Sequence, residues 1–413
     1  MGFRRRFVDV LLVGGGILGT VLAARMNELG PDLRVLGLRL TDSPAPNAES
    51  LRNQGMFQSG IKFLQYPVLA GEMLNRRSRL LEFLGMQSRQ LSGVMQVPTI
   101  KAEKFWKRIS KSIFERTVKE LSDDQARALI GPFWKEDSFC VSIPDNHLDV
   151  ATAMLAAREI ARAKKIEFRE IERLEILGRA APGLPIRVKV DEHIVEAGLI
   201  VFTAGCGNIP YMNQLDPGHN YKIQQTPLIV IRGGPPVLAP VVFDNTNHVT
   251  ISSRQPCDRI RSGCMVIGTQ GSRRLIDPFC TAPQRDVCDK EKEELVDRLS
   301  PLIPIIDGKH SFTAGWEPLP LYKGRHVIPA VRGFPPGHEH RGILFAFCGR
   351  ATVAMQAVDL ILQELALLTK EGRILKSAQF PTFADLGTPW TAPIWMHYED
   401  PYAMWNDYGR NKE

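Results

Sequence analysis

The sequence predicts an α/β protein in which a nucleotide-type unit is returned to three times, with a strand-rich region inserted between the returns. Three observations carry this prediction. A mostly apolar run at residues 8–13 leads directly into Gly14-Gly15-Gly16-Ile17-Leu18-Gly19 and then a helical stretch. Comparable apolar runs ending on small residues recur at 199–205 and 343–349. Between the last two, from about 222 to 331, short β-prone runs are separated by Pro and Gly. The expected architecture is a discontinuous, Rossmann-like α/β domain joined to an α+β domain on a mostly antiparallel sheet.

Taken in order, residues 8–13 read as a strand suited to burial on both faces of a parallel sheet. Residues 20–29 read as a helix, with Leu22, Met26 and Leu29 at helical spacing and Gly30-Pro31 as its stop. Residues 33–38 read as a second strand, completing one βαβ unit. The stretch 67–145 is charged and reads as helical. A helix is expected over 147–164, followed by strands near 166–168 and 186–190. Further strands are expected at 228–231, 249–251, 265–268 and 343–347, then a turn at Gly349 and a long apolar helix to about 367. The tail beyond Phe380 is rich in aromatics and prolines without periodicity; it suits clamping onto a domain surface or an oligomer interface.

At 413 residues the chain has room for two or three domains and an internal cleft. Its 44% hydrophobic and 23% charged residues exclude wholesale disorder and fibrous repeats. No apolar run reaches the ~20 residues that cross a bilayer. Arg4, Arg5 and Arg6 precede an apolar stretch, but Asp9 and three glycines interrupt it, so a signal peptide is not expected. The net charge of +7 suits an acidic substrate or peripheral contact with an anionic surface through those arginines. No basic run interleaves with aromatics, so no nucleic-acid partner is expected. Seven scattered cysteines without a C-x-x-C pair read as reduced thiols of a cytoplasmic protein. His338 and His340 flank Glu339 in what reads as a polar loop; with no further ligands nearby, no metal site is expected.

Gly14-x-Gly16-x-x-Gly19 stands where a dinucleotide fingerprint must stand, after a strand and opening a helix. Gly14 permits the tight turn, Gly16 admits the pyrophosphate close to the backbone, and Gly19 lets helix and strand pack closely. The helix N-terminus adds free N–H donors for phosphate. The pattern departs at the end of the second strand, where an acid normally takes the adenosine ribose hydroxyls and this chain has Arg39. Arginine there favours the 2′-phosphate of NADP in a nicotinamide enzyme, or simply points to solvent; Asp42 or Ser43 could replace the acid.

Four separated stretches resemble the FAD-dependent D-amino-acid-oxidase-like superfamily. They are the glycine turn; Glu49 to Gly60 (Glu-Ser-Leu-Arg-Asn-Gln-Gly-Met-Phe-Gln-Ser-Gly); His147-Leu148-Asp149 opening a helix and leading to Ala204-Gly205; and Gly315-Trp316-Glu317-Pro318 through Cys348-Gly349-Arg350-Ala351-Thr352. The likeness is nearest to hydroxyglutarate- and glycine-oxidase-type members, and it implies bound FAD. The implied cofactor contacts are Gly14, Gly16, Ile17, Leu18, Gly19 and Arg39; then Arg52, Asn53, Gln54 and Gly55; then Ala204 and Gly205; then Gly349, Arg350, Ala351, Thr352 and Val353. The resemblance divides the chain into an FAD domain (1–66, 146–215, 332–375), a substrate domain (67–145, 216–331) and a tail (376–413).

A flavin oxidoreductase holds a substrate C–H over the flavin N5 for hydride transfer and needs no protein nucleophile. Two departures bear on the substrate. Hydroxyglutarate relatives carry a histidine where this chain has Gln58, which cannot act as a base at neutral pH. Glycine-oxidase relatives carry an arginine that grips a carboxylate where this chain has Glu317, suited instead to an amine or to an ion pair. Tyr322, Arg325 and His326 complete the candidates for acid–base or anion work, beside Lys323, and His326 alone has a near-neutral ordinary pKa. The expectation is an FAD-dependent oxidation of a C–N or C–O bond in a small polar substrate, with oxygen, quinone or a protein as acceptor, in a homo- or hetero-oligomer. A non-catalytic or partner-dependent flavin-fold subunit, and an NADP-dependent oxidoreductase resting on Arg39 alone, are the alternatives.

Overall fold

The computed structural model describes residues 6–29, 33–40, 56–64, 67–86, 92–148, 150–181, 183–217, 221–232, 237–245, 249–254, 264–269, 274–276, 293, 312–322, 325–326, 330–348 and 351–370. The chain opens with β1 (Arg6–Val13), α1 (Ile17–Leu29), β2 (Val35–Leu40), β3 (Met56–Phe57) and α2 (Pro67–Phe83). It continues through β4 (Gly93–Pro98), α3 (Ala102–Ile109), β5 (Lys119–Leu121), α4 (Asp123–Ile130), β6 (Ser138–Ile143) and β7 (Asn146–His147). Then come α5 (Val150–Ala163), β8 (Glu167–Ile171), β9 (Leu174–Arg179), β10 (Ile186–Val190), β11 (His193–Phe202) and α6 (Ile209–Leu215). The remainder holds β12 (Tyr221–Arg232), β13 (Val241–Asp244), β14 (Val249–Arg254), β15 (Cys264–Thr269), β16 (Arg274–Ile276), β17 (Phe312–Tyr322), β18 (Arg325–His326), β19 (Ala330–Gly333), β20 (Ile343–Phe347) and α7 (Ala354–Lys370).

The first sheet has the order β19-β20-β11-β1-β2-β8, with β10 and β9 branching from β11. β20, β11, β1, β2 and β8 run parallel, so each needs a crossover, and α1 and α5 supply two of them. Side chains alternate across β1: Val10 and Leu12 pack toward a core shared with α1, α5 and α7, while Leu11 and Val13 pack toward the β9–β10 layer and α6. Burial on both faces explains why residues 10–13 read as an unbroken apolar run. The strand's acidic residue, Asp9, accepts hydrogen bonds from the Arg34 backbone N–H at 2.9 Å and the Arg34 guanidinium at 3.1 Å. On the helical side Asp359 of α7 takes Arg25 of α1 at 2.6 Å and Arg79 of α2 at 3.1 Å, with Arg76 at 3.5 Å. One buried carboxylate thus joins three helices, a geometry that is costly to break because its partners would be left buried and unpaired.

The second sheet has the order β18-β17-β12-β15-β14-β13-β4-β6-β5, with β16 on β12. All its pairings are antiparallel except β13 with β4. Ala126 and Ile130 of α4 cover one face and Phe105 and Ile109 of α3 the other. Ser122 and Gln125 form a reciprocal capping box that starts α4. Two expectations need correction. The region 67–145 is not helical throughout, because β4 and β6 lie within it and pair over six residues. His147 does not open a helix: Asn146–His147 pairs with Met56–Phe57, and α5 begins at Val150.

Candidate functional site

The glycine turn is built at the carboxyl ends of β1, β2 and β11. Gly14 has φ of 123°, which only glycine adopts without strain, and a Cβ there would stand 2.6 Å from Ala204 N. A Cβ on Gly19 would stand 1.9 Å from Gly14 O, so α1 can approach the turn only with glycine in place. The main chain pins the rest. Gly14 N–H donates to Leu38 O at 2.7 Å and Thr203 N–H to Val13 O at 2.7 Å. The Thr203 hydroxyl donates to Gly14 O at 3.1 Å. Buried Asn208 donates from Nδ2 to Ala346 O at 2.9 Å, and its Oδ1 accepts from Ala204 N–H at 2.8 Å, so one side chain aligns the ends of β11 and β20. Ile17 and Leu18, both buried, begin α1.

Arg39 stands at the end of β2 beside this turn. A Cβ on Gly15 would lie 3.6 Å from the Arg39 Cβ and Cδ and from Arg158 Nη2. Arg158 donates to Gly15 O at 3.2 Å. Arg39 Nη1 donates to Glu170 Oε1 at 2.8 Å, so it is paired rather than turned to solvent. Burial and the Arg39 charge push the Arg158 guanidinium pKa down, with Glu170 opposing. The tight turn, the helix N-terminus and two flanking guanidinium groups fit a dinucleotide with its negative pyrophosphate.

A second cluster lies on the segment after β3. Gln58 N–H donates to Thr352 Oγ1 at 3.1 Å, joining parts of the chain 294 residues apart. Ser59 N–H donates to Asp145 Oδ1 at 2.9 Å, and the Ser59 hydroxyl donates to the same oxygen. Asp145 Oδ2 is buried with no hydrogen-bond partner among the described residues. Burial raises the Asp145 pKa above the usual carboxylate range, opposed by the Ser59 hydrogen bonds and the charges of Lys62 and Arg77. Lys62 Nζ donates to Thr250 Oγ1 at 3.0 Å and sits 3.8 Å from the Phe243 ring centroid, on the antiparallel sheet. Arg77, its pKa lowered by burial, donates to Pro144 O. The segment 58–62 is therefore held between the start of α7 and the second sheet.

Among the expected site residues, the structure gathers Gly14, Gly16, Ile17, Leu18, Gly19, Arg39, Ala204 and Gly205 around the glycine turn, and Gln58 with Thr352 at the second cluster. Val353, buried, follows Thr352, and Ala351 begins the same short turn. Arg52, Asn53, Gln54, Gly55, Gly349 and Arg350 lie outside the described residues, as do Asp42, Ser43, Lys323 and the tail beyond residue 370. Glu317 sits in mid-β17 opposite Thr226; Tyr322 opposes both Tyr221 and Arg325, and His326 opposes Leu321. β17 runs alongside the turn Gly205–Asn208. Asp145, Ser59, Lys62, Arg158 and Glu170 were not expected, since each acquires its place through contacts distant in sequence. A cavity of about 370 Å³ beside the ends of β2 and β8, lined by Leu40, Glu172 and Tyr211, holds none of the expected site residues.

His338 stacks on Phe334 with ring centroids 4.7 Å apart, and His340 meets the same ring edge-on at 5.3 Å. Among the described residues no group of three metal-ligating side chains occurs, and no helix is long and apolar enough to cross a membrane.

Solved structures share this fold. L-α-glycerophosphate oxidase from Mycoplasma pneumoniae, with FAD bound, is 16% identical with a TM-score of 0.67, covering 92% of this chain and 97% of that one. Iminodiacetate oxidase from Chelativorans sp. BNC1 is 18% identical, TM-score 0.64, over 90% and 97% of the two chains. Glycine oxidase from Geobacillus kaustophilus is 16% identical, TM-score 0.63, over 92% and 98%. No curated protein sequence matches the chain. The family model for FAD dependent oxidoreductases matches residues 9–355, a span that takes in the glycine turn, both sheets and the start of α7, and the chain belongs to that family.

Proposed function

We propose that this chain oxidises a C–N or C–O bond of a small polar substrate held beside the 58–62 segment, where that segment meets the antiparallel sheet. Bound FAD supplies the hydride acceptor. The observation that carries the reading is the bridge Thr352–Gln58-Ser59–Asp145, which fastens the segment after β3 to the turn before α7 on one side and to the chain just past β6 on the other, with Lys62 reaching Thr250 of the second sheet. Gln58 orients substrate through its amide and holds no proton for the reaction, because an amide does not ionise near neutrality. Glu317 in place of a carboxylate-gripping arginine favours an amine or guanidine group on the substrate, and His326, Tyr322 and Arg325 share the hairpin β17–β18 as proton-transfer and anion-binding candidates. The named oxidases of glycine and iminodiacetate with the same fold support amine chemistry. The two sheets support a division into an FAD domain and a substrate domain along the boundaries expected from sequence. A cytoplasmic location, peripheral membrane contact through Arg4–Arg6 and an oligomer remain part of this reading.

The test is anaerobic mixing of the flavin-loaded protein with panels of amines and 2-hydroxy acids while the flavin absorbance near 450 nm, an approximate wavelength for oxidised flavin, is followed. Bleaching by an amine supports the reading, and bleaching by a hydroxy acid moves it to C–O chemistry. A loaded protein bleached by neither, but reduced once a co-purifying partner is added, overturns it in favour of a partner-dependent subunit.

A further inference from the structure

The dinucleotide fingerprint lacks its acid: the residue at the end of β2 is Arg39. The parallel register of β2 with β8 places Glu170 directly opposite Arg39. Residues opposite one another on neighbouring strands project on the same face, and here the two side chains meet, with Arg39 Nη1 at 2.8 Å from Glu170 Oε1. The Arg39 side chain is 27% exposed and the Glu170 side chain 63% exposed, so the arginine is tucked beside the turn while the carboxylate remains accessible. The pair also lies on the glycine turn, because the Arg39 shaft borders Gly15 and Arg158 donates to Gly15 O.

We infer that Glu170, carried one strand further out, replaces the missing acid and accepts the adenosine ribose 2′-hydroxyl of FAD, with Arg39 as its positioning residue. The requirement at this place is a carboxylate oxygen near the end of β2, and strand pairing supplies it without an acid on β2 itself. The same pair disfavours a 2′-phosphate. Glu170 already neutralises Arg39 and would repel the added negative charge, so the arginine does not confer NADP selectivity. This inference rests on the FAD cofactor and is independent of which substrate is oxidised.

The experiment is titration of the apoprotein with FAD, and with an FAD analogue whose adenosine ribose lacks the 2′-hydroxyl, followed by quenching of flavin fluorescence. The wild type should bind FAD about tenfold more tightly than the analogue, the size expected for a hydrogen bond to a charged acceptor. Glu170→Gln should weaken FAD severalfold and shrink its preference over the analogue, because the amide oxygen still accepts but is the weaker, uncharged acceptor. Thermal melting of the apo variant should match the wild type, since the side chain is largely exposed. Wild-type protein that binds FAD and the analogue equally, or a Glu170→Gln variant that keeps the full preference, overturns the inference while leaving flavin binding itself intact. NADPH binding as tightly as FAD would overturn it as well.

Discussion

At the glycine turn position is set mainly by the main chain; on the antiparallel-sheet side it is set by side chains. Gly14 and Gly19 act through the absence of a Cβ, and the turn is tied by bonds such as Gly14 N–H to Leu38 O and Thr203 N–H to Val13 O. The second cluster is tied through the side chains of Ser59, Asp145, Lys62 and Thr250, with Gly60 at φ 96° as the one place where its own main chain is constrained. The difference separates what the cofactor demands from what the substrate demands. A common dinucleotide needs a fixed backbone cradle, whereas substrate choice can drift by exchanging side chains on a retained frame.

The severest way to break this contrast is Gly19→Ala. A Cβ at 1.9 Å from Gly14 O must displace the turn, so the expected loss is about 3 kcal/mol or more of stability together with retained flavin. Melting temperature and flavin content after gel filtration measure it, and a stable, yellow variant would show that the turn is not backbone-determined.

Asp145→Asn sharpens the contrast from the other side. Because burial raises the carboxyl above its ordinary 3.8, the folded chain retains a proton that the unfolded chain has released, and stability falls as pH rises from 3.8 through the raised value. The variant removes this titration. Melting temperature against pH should lose that decline, and an unchanged profile would mean that Asp145 does not titrate in this window.

The smallest effect is expected for Gln58→His. The bond to Thr352 comes from the Gln58 backbone N–H and survives the change, so stability should move by no more than about 0.5 kcal/mol. The rate of flavin reduction by a hydroxy acid should acquire a pH dependence near the ordinary histidine value of about 6.5. A stability loss comparable to that of Gly19→Ala would erase the distinction between the two regions.

The same division governs what could be read from sequence. β1 was legible because Val10, Leu12, Leu11 and Val13 are buried on alternate faces, giving a continuous apolar run next to an unmistakable glycine turn. β4 was hidden because fully buried Gln96 interrupts its pattern; its side-chain oxygen accepts from Lys135 N–H at 3.1 Å, a contact 39 residues away that no local sequence rule reveals. The charged helices on either side of it then carried the whole region toward a helical reading. Glu170 was hidden for a topological reason: it stands 131 residues from Arg39, and only the β2–β8 register brings them together. At the substrate side, Gln58 and Glu317 could be located by resemblance, but the tie that fixes the backbone at Gln58 comes from Thr352, 294 residues away.

The parallel sheet draws its strands from residues 6–13, 35–40, 167–171, 193–202 and 343–347, with β4, β5 and β6 of the second sheet spooled out between β2 and β8 and the rest of that sheet between β11 and β20. Such pairings close long loops before they are rewarded, which slows folding relative to a contiguous domain of the same size. During synthesis the second sheet leaves the ribosome before β20 does, so the cradle gains its last parallel strand, and the Gln58–Thr352 bond its second partner, only after some five-sixths of the chain has emerged, an approximate figure consistent with N-to-C folding. Flavin capture is therefore a late event in the life of the nascent chain, and FAD present in the refolding medium should raise yield most when added before, rather than after, that final closure.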